Sequence, residues 1–180
     1  MPITFLTSDR VLLRPLMEKD LEGPYVGWLN DPEVCQGNSH HVFPYTEMRA
    51  KSYLEYAQQT KEALILAIVL KEENLHIGNI AIQNIHGTYR SAEFAILLGD
   101  KRFWGKGYGQ EAGHLILSHA FSEMNLNRVA CATFSNNEGM CRLALALGMQ
   151  QEGIRRQAAF KNNQYVDIIE FGILKSEFKF

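Results

Sequence analysis

The stretch KRFWGKGYGQEA, Lys101 to Ala112, sets Gly105, Gly107 and Gly109 at alternate positions. It lies between an apolar run, SAEFAILLG (Ser91 to Gly99), and GQEAGHLILSHAFSEM (Gly109 to Met124), whose apolar residues recur at helical spacing. Glycine admits φ > 0 and lets a ligand approach the main chain closely. A glycine turn that opens a helix aims several N–H groups outward where the helix dipole is positive, which suits a diphosphate. Lys101, Arg102 and Lys106 add three cations beside it. On the glycines alone a plain turn with a helix start is an equally open reading. Spacing excludes two other phosphate sites: GxxxxGK[ST] is absent, and GxGxxG fails because Gln110 stands where its third glycine belongs. An ATPase or a Rossmann dehydrogenase is therefore disfavoured.

Working outward, VLLRPL (Val11 to Leu16) has the pattern of a short strand, and MEKDLEGPYVGWLND predicts one helix with Leu21, Tyr25 and Trp28 on a face, ending near Pro32. A polar irregular stretch, CQGNSHHVFPY, precedes Thr46, the expected N-cap of a helix carrying Met48, Tyr53, Leu54 and Ala57. ALILAIVL, LHIGNIAIQNI and SAEFAILLG, joined by KEEN and HGTYR, predict an antiparallel three-strand meander. After the glycine loop come a helix, a strand NRVACATF, a helix NEGMCRLALALGM ending before Gly148, and a hairpin turning around Lys161, Asn162 and Asn163. That order predicts an α/β fold: a mixed, mostly antiparallel sheet with helices on both faces. Its parallel pair should form where the helix beginning near Gly107 crosses to the Asn127–Phe134 strand. Ligands of open α/β sheets bind at such crossovers.

The whole chain bounds the answer. Its 180 residues carry 18 Lys+Arg against 20 Asp+Glu and are 46% hydrophobic, the composition of one globular domain over residues 1–180. A chain of this size buries roughly 70% of its unfolded surface and needs no disulfide or metal staple. A net charge of −2 gives no global reason to expect nucleic acid or a membrane as partner. Cys35, Cys131 and Cys141, odd in number and without CxxC spacing, suit apolar packing in a reducing compartment, so the expected location is cytoplasmic. MPITFLTSDR has no leader pattern, and the run Ala63 to Leu70 is far short of the roughly 20 residues of a membrane span. Cys35, His40 and His41 lack zinc spacing and a further ligand pair, so no metal is expected.

Several pieces, in order, resemble the GNAT superfamily of acetyl-CoA-dependent N-acetyltransferases, from about Thr7 to Leu174. They are LTSDRVLLRPLMEKDLEGPYVGWLNDPEV, HIGNIAIQNIHGTYRSAEFAILLGDKRFWGKGYGQEA, and NEGMCRLALALGM followed by QQEGIRRQAAFKNNQYVDIIEFGIL. The likeness is greatest to the branch that contains ribosomal-protein N-terminal acetyltransferases and enzymes acetylating amino sugars. The resemblance implies acetyl-CoA as co-substrate. Its pyrophosphate would be held around Gly105, Lys106, Gly107, Tyr108, Gly109 and Gln110, with Arg102 beside it. Asn137 would meet the pantetheine arm or the adenosine part, and Arg142 is either a phosphate partner or a solvent-facing helix residue. Family members splay two adjacent strands, here Glu93–Leu98 and Val129–Phe134, so that open backbone groups hold the pantetheine. Two positions depart from the family pattern: Trp104 stands where an arginine or glutamine often opens the loop, and Ala144 stands where many relatives carry a tyrosine as general acid.

Acetyl transfer to an amine needs a neutral nucleophile, a proton acceptor and stabilisation of the developing oxyanion. Glu93 interrupts an apolar strand and is the candidate acceptor, with a raised pKa if it is partly desolvated. The alternatives are that it faces solvent or pairs with Arg90. The oxyanion would meet a backbone N–H near Leu97 or Leu98. The segment Asn30 to Thr46 supplies Asn38, Ser39, His40 and His41 as hydrogen-bonding groups for an acceptor. A small amine is expected, an amino-sugar nucleotide first. The alternatives are a protein N-terminus, which an acidic groove would serve if Glu18, Asp20, Glu22, Asp31 and Glu33 form one rather than a solvated helix face, and a CoA-binding sensor without turnover. A monomer or a homodimer fits equally.

Overall fold

The computed structural model describes residues 3–180. Residues 1 and 2, which open the stretch MPITFLTSDR, lie outside the described residues. The strands are β1 (Leu6–Thr7), β2 (Val11–Pro15), β3 (Leu64–Leu70), β4 (Leu75–His86), β5 (Ser91–Leu98), β6 (Arg128–Phe134), β7 (Gln150–Lys161) and β8 (Gln164–Leu174). They form one sheet in the order β1-β2-β3-β4-β5-β6-β8-β7. Every neighbouring pair is antiparallel except β5 and β6. The helices are α1 (Glu18–Leu21), α2 (Tyr25–Trp28), α3 (Glu47–Gln59), α4 (Tyr108–Ser122) and α5 (Glu138–Ala146).

The centre of the sheet is buried on both faces, while β7 at its edge is exposed, and β3 shows why a central strand has an unbroken apolar sequence. Leu66, Ile68 and Leu70 join a core with Ala112, Ile116 and Leu117 of α4 and Ala144 of α5. Ile65, Ala67 and Val69 alternate to the opposite face and pack with Leu54 of α3. Tyr25, Trp28, Leu29, Val34 and Ala50 make a third apolar cluster on the α1–α3 side. No helix among the described residues is long and apolar enough to cross a membrane.

The expected meander, both later helices and the final hairpin are present. Asn162 and Asn163 have φ of 50° and 60°, the backbone of a two-residue hairpin turn. One expectation needs correction: Met17 to Asp31 is not a single helix but α1 and α2, broken at Gly23 and Pro24. Proline lacks the N–H an uninterrupted helix needs there and disfavours helical backbone at the residue before it. Two elements, the short β1 and a 3₁₀ turn at Lys101–Phe103, had no separate signal in the sequence.

The parallel pair is short. β5 and β6 align at Ser91↔Arg128, Ala92↔Val129 and Glu93↔Ala130, and then separate. Phe94–Leu98 and Cys131–Phe134 diverge, and the helix that crosses between these strands, α4, opens with Gly107 as its N-cap at φ 84°.

Candidate active site

A cleft of about 1010 Å³ occupies this divergence. The glycine loop closes one end, β5 and β6 form the walls, and the segment between α2 and α3 lies along the rim. A second cavity of about 680 Å³ is lined only by Arg156, Gln157 and Asp167, at an irregularity in the β7–β8 pairing.

At the glycine end, Gly105 (φ 69°) and Gly107 (φ 84°) take left-handed backbone that residues with a side chain rarely adopt. A Cβ on Gly105 would meet nothing within 4 Å, so the loop faces open space. Among the described residues, no acceptor receives a hydrogen bond from the amides of Gly105 to Gln110. Helix geometry accounts for the last of these, since the first turn has no carbonyl behind it. A row of unpartnered donors at a helix N-terminus fits a diphosphate.

What holds the loop in this shape is remote in sequence. Arg10, just before β2, donates from Nη1 to the Lys106 carbonyl (3.1 Å) and from Nε to Glu111 Oε2 (2.7 Å), with its guanidinium 4.6 Å from the Tyr108 ring centre. Glu111 Oε1 also accepts from Ser8 Oγ (2.6 Å) and from the Arg10 N–H (2.8 Å). Burial pushes the Glu111 carboxyl upward, but these hydrogen bonds and the Arg10 charge outweigh it and hold the group below the usual carboxylate range.

The expected cations behave differently. Lys101 is bound to Asp31 (2.9 Å) and Glu33 (2.6 Å), and Arg102 to Asp100 (2.6 Å). Neither Arg102 nor the Lys106 side chain lines the cleft. Gly105, Gly107, Tyr108, Gly109 and Gln110 do line it, so the loop offers main-chain donors rather than the three side-chain charges.

Along the wall, Gly99 N–H donates to Ile77 O. Alternation along antiparallel β4 and β5 then turns the main-chain groups of Ile96 and Leu98 towards the gap, and those of Leu97 towards Asn79 of β4. The Leu98 carbonyl is already occupied by Trp104 Nε1 (2.7 Å), leaving its N–H open. Trp104 thus holds the end of β5. Gly78 on β4 is required here, since a Cβ would collide with the Leu97 carbonyl.

Glu93 lines the cleft opposite Gln83 of β4. It is exposed, and Asn84 Nδ2 donates to its Oε2 (2.9 Å). The partial desolvation expected from its apolar neighbours is not present. Arg90, the alternative partner, instead bonds Asn125 O and Oδ1, both at 2.8 Å.

Asn137 caps α5, with Oδ1 accepting from Met140 N–H (3.1 Å), while Nδ2 donates to the carbonyl of Gly37 (3.0 Å). Arg142 is solvent-exposed at the rim and paired with Glu138 (3.0 Å). Asn38, Ser39 and His40 line the same rim, and the His40 carbonyl accepts from Lys161 Nζ (2.7 Å). Ala144 is fully buried on the inner side of α5, in the core shared with α4.

The acidic groove does not form. Asp20 is buried and takes two hydrogen bonds of 2.7 Å from Arg14, and Asp31 and Glu33 are tied to Lys101. Among the described residues no group of three or more His, Cys, Asp or Glu is placed to hold a metal ion. Sequence reading missed Arg10, Glu111 and the lining residues Thr133 and Met140. No local spacing marks an arginine that acts on a loop about a hundred residues later.

Residues 10–150 match the family described as acetyltransferase (GNAT) domain. The chain is 27% identical over 172 residues to YoaA of Bacillus subtilis, an uncharacterised N-acetyltransferase, covering 94% of this chain and 96% of that one. It is 27% identical over 177 residues to the uncharacterised N-acetyltransferase p20 of Bacillus licheniformis, covering 96% and 97%. Among solved structures, a GNAT-family acetyltransferase from Bacillus anthracis superposes with a TM-score of 0.83 at 25% identity, covering 96% of this chain and 99% of that one. The spermidine N-acetyltransferase of Vibrio cholerae, in complex with CoA and spermine, shares the fold with a TM-score of 0.83 at 20% identity, covering 93% and 96%.

Proposed function

Since the chain belongs to the GNAT family and is an acetyl-CoA-dependent N-acetyltransferase, we propose that it acetylates a small polar amine, an amino-sugar nucleotide first, by direct attack on the thioester. The observation that carries this reading is the row of unpartnered amides from Gly105 to Gln110 at the end of the cleft between β5 and β6. These donors would take the diphosphate, and Arg10 keeps them turned outward by holding the Lys106 carbonyl behind the loop. The open main-chain groups of Ile96 and Leu98 would pair with the pantetheine amides where a strand partner is missing. The Leu98 N–H is the candidate donor to the oxyanion that forms as nitrogen adds to the carbonyl carbon. Glu93 would take the proton from the amine, directly or through a water, since its exposed carboxylate faces the cleft. The C–S bond then breaks and CoA departs as thiolate. A thiol pKa of about 8.5 makes that tolerable without the tyrosine that Ala144 replaces.

Asn38, Ser39 and His40 supply neutral hydrogen-bonding groups on the acceptor side. The nearby carboxylates Asp31 and Glu33 share Lys101, which offsets one of their two charges and weakens the pull on a polycation or a basic peptide. The test is acetyl transfer followed by mass spectrometry over nucleotide-linked amino sugars, polyamines, aminoglycosides and N-terminal peptides. Turnover is expected with the first group. Preference for a peptide or polyamine would overturn the acceptor, and acetyl-CoA binding without turnover on any amine would make the protein a sensor. In the same assay Gly107→Val should raise the Kd for acetyl-CoA at least about tenfold, because valine resists this backbone and crowds the cradle. Glu93→Gln should lower kcat with that Kd unchanged.

A further inference from the structure

Asn137 sits at the head of α5, yet half of its side chain is committed to a different part of the molecule. Its Oδ1 performs the ordinary N-cap task on Met140 N–H. Its Nδ2 reaches back a hundred residues to the Gly37 carbonyl at 3.0 Å. The approach is close enough that a Cβ on Gly37 would fall 2.5 Å from Asn137 Nδ2. Three residues on, Lys161 Nζ at the end of β7 holds the His40 carbonyl at 2.7 Å. Within the segment, Asn38 Oδ1 accepts from His40 N–H at 2.9 Å. Residues 37–40 are therefore fastened at both ends to elements on the far side of the β5–β6 opening, and all four line the cleft.

We infer that Asn137 is a positioning residue for the acceptor: it clasps the Gly37–His40 segment in place as the wall against which the amine is bound. The inference rests on the acetyl-transfer reading above and extends it to the side of the cleft away from the diphosphate. An amide side chain is needed because one group must accept from a helix N–H while its neighbour donates to a carbonyl. Aspartate caps a helix as well as asparagine does but has no N–H to offer Gly37.

That difference gives a clean variant. Asn137→Asp keeps the cap and sets a carboxylate against the Gly37 carbonyl. Its melting temperature should stay near that of the parent, while amide exchange over residues 36–41 of the free protein speeds up by about fivefold or more, the worth of one hydrogen bond. In the transfer assay KM for the amine should rise by a similar factor, and by more than KM for acetyl-CoA. Lys161→Met should move the same two readouts, and the double variant should show less than the product of the single effects, as expected of two fasteners on one segment. Unchanged exchange in Asn137→Asp overturns the clasp whatever the enzyme does. A rise in KM for acetyl-CoA alone overturns it as well, and places Asn137 on the cofactor instead. If the wild type acetylates no amine, the acetyl-transfer reading fails and the role assigned to Asn137 in positioning an acceptor fails with it. Altered exchange would then still show a structural clasp, so the two failures are told apart.

Discussion

Arg10 shows how one side chain can set the chemistry of a loop it does not belong to. Its guanidinium satisfies the Lys106 carbonyl, pairs with Glu111 and covers Tyr108, so the peptide planes of the cradle have a fixed orientation. Arg10→Ala should therefore raise KM for acetyl-CoA by about tenfold, from the lost charge-assisted hydrogen bonds. KM for acetyl-pantetheine, which lacks the diphosphate, should hardly change. Equal losses with both donors would mean that Arg10 supports the fold and not the phosphate site. The glycines of the cradle were legible in the sequence because they have a local signature of conformation. Arg10 was not, because its partners come together only through the contact of α4 with β2. The charges were legible as residues but their pairing was not: the fold brings Asp31 and Glu33 to Lys101 and Asp100 to Arg102.

At the scale of elements, α1 is four residues long and too short to persist by its own hydrogen bonds. Asp20 anchors it, accepting two bonds from Arg14 of β2 and one from the Met17 N–H at 2.9 Å. Burial would raise the Asp20 carboxyl, but Arg14, His76 and the Met17 amide together draw it below its ordinary value. Arg14→Met leaves that carboxylate buried without its partner and should cost about 3–5 kcal/mol in denaturant unfolding. A loss below about 1 kcal/mol would mean that water reaches the pair. The break between α1 and α2 belongs to this scale too. Leu21, Tyr25 and Trp28 have helical spacing and do share a buried side, so the periodicity was sound. It could not show that Pro24 interrupts the hydrogen bonds beneath it. β3 to β5 were readable because apolar runs of strand length and the short turns between them are local properties, whereas the two residues of β1 carry too little pattern to distinguish.

For the molecule as a whole, the buried titratable groups set a pH dependence. His76 Nε2 lies 2.9 Å from the Gly78 carbonyl and 2.8 Å from Asn79 Oδ1; a carbonyl can only accept, so Nε2 carries the proton. Nδ1 is left without a hydrogen bond, 3.6 Å from Asp20 Oδ1. Burial holds the His76 pKa below 6.5 despite the opposing pull of Asp20, and burial lowers that of His119 in the same direction. Below an unfolded-state pKa of about 6.5 the unfolded chain takes up protons that the folded chain refuses, so stability falls with pH through this range. Asp20, with a depressed folded pKa, adds a further loss as the pH drops below about 4. The melting temperature should be level above pH 7, decline from about 6.5 downward and decline again below about 4. His76→Gln should flatten the first decline, and an unchanged slope in that variant would assign it to other groups.

The three residue pairs that join β5 to β6 have a mechanical consequence. Strands β1–β5 form one raft and β6, β8 and β7 another, laced along a single short row of rungs. Where the lacing stops, the ties from Asn137 and Lys161 cross the opening like two stitches. A guest chain carrying its own amides would supply the rungs that are missing beyond Glu93 and Ala130.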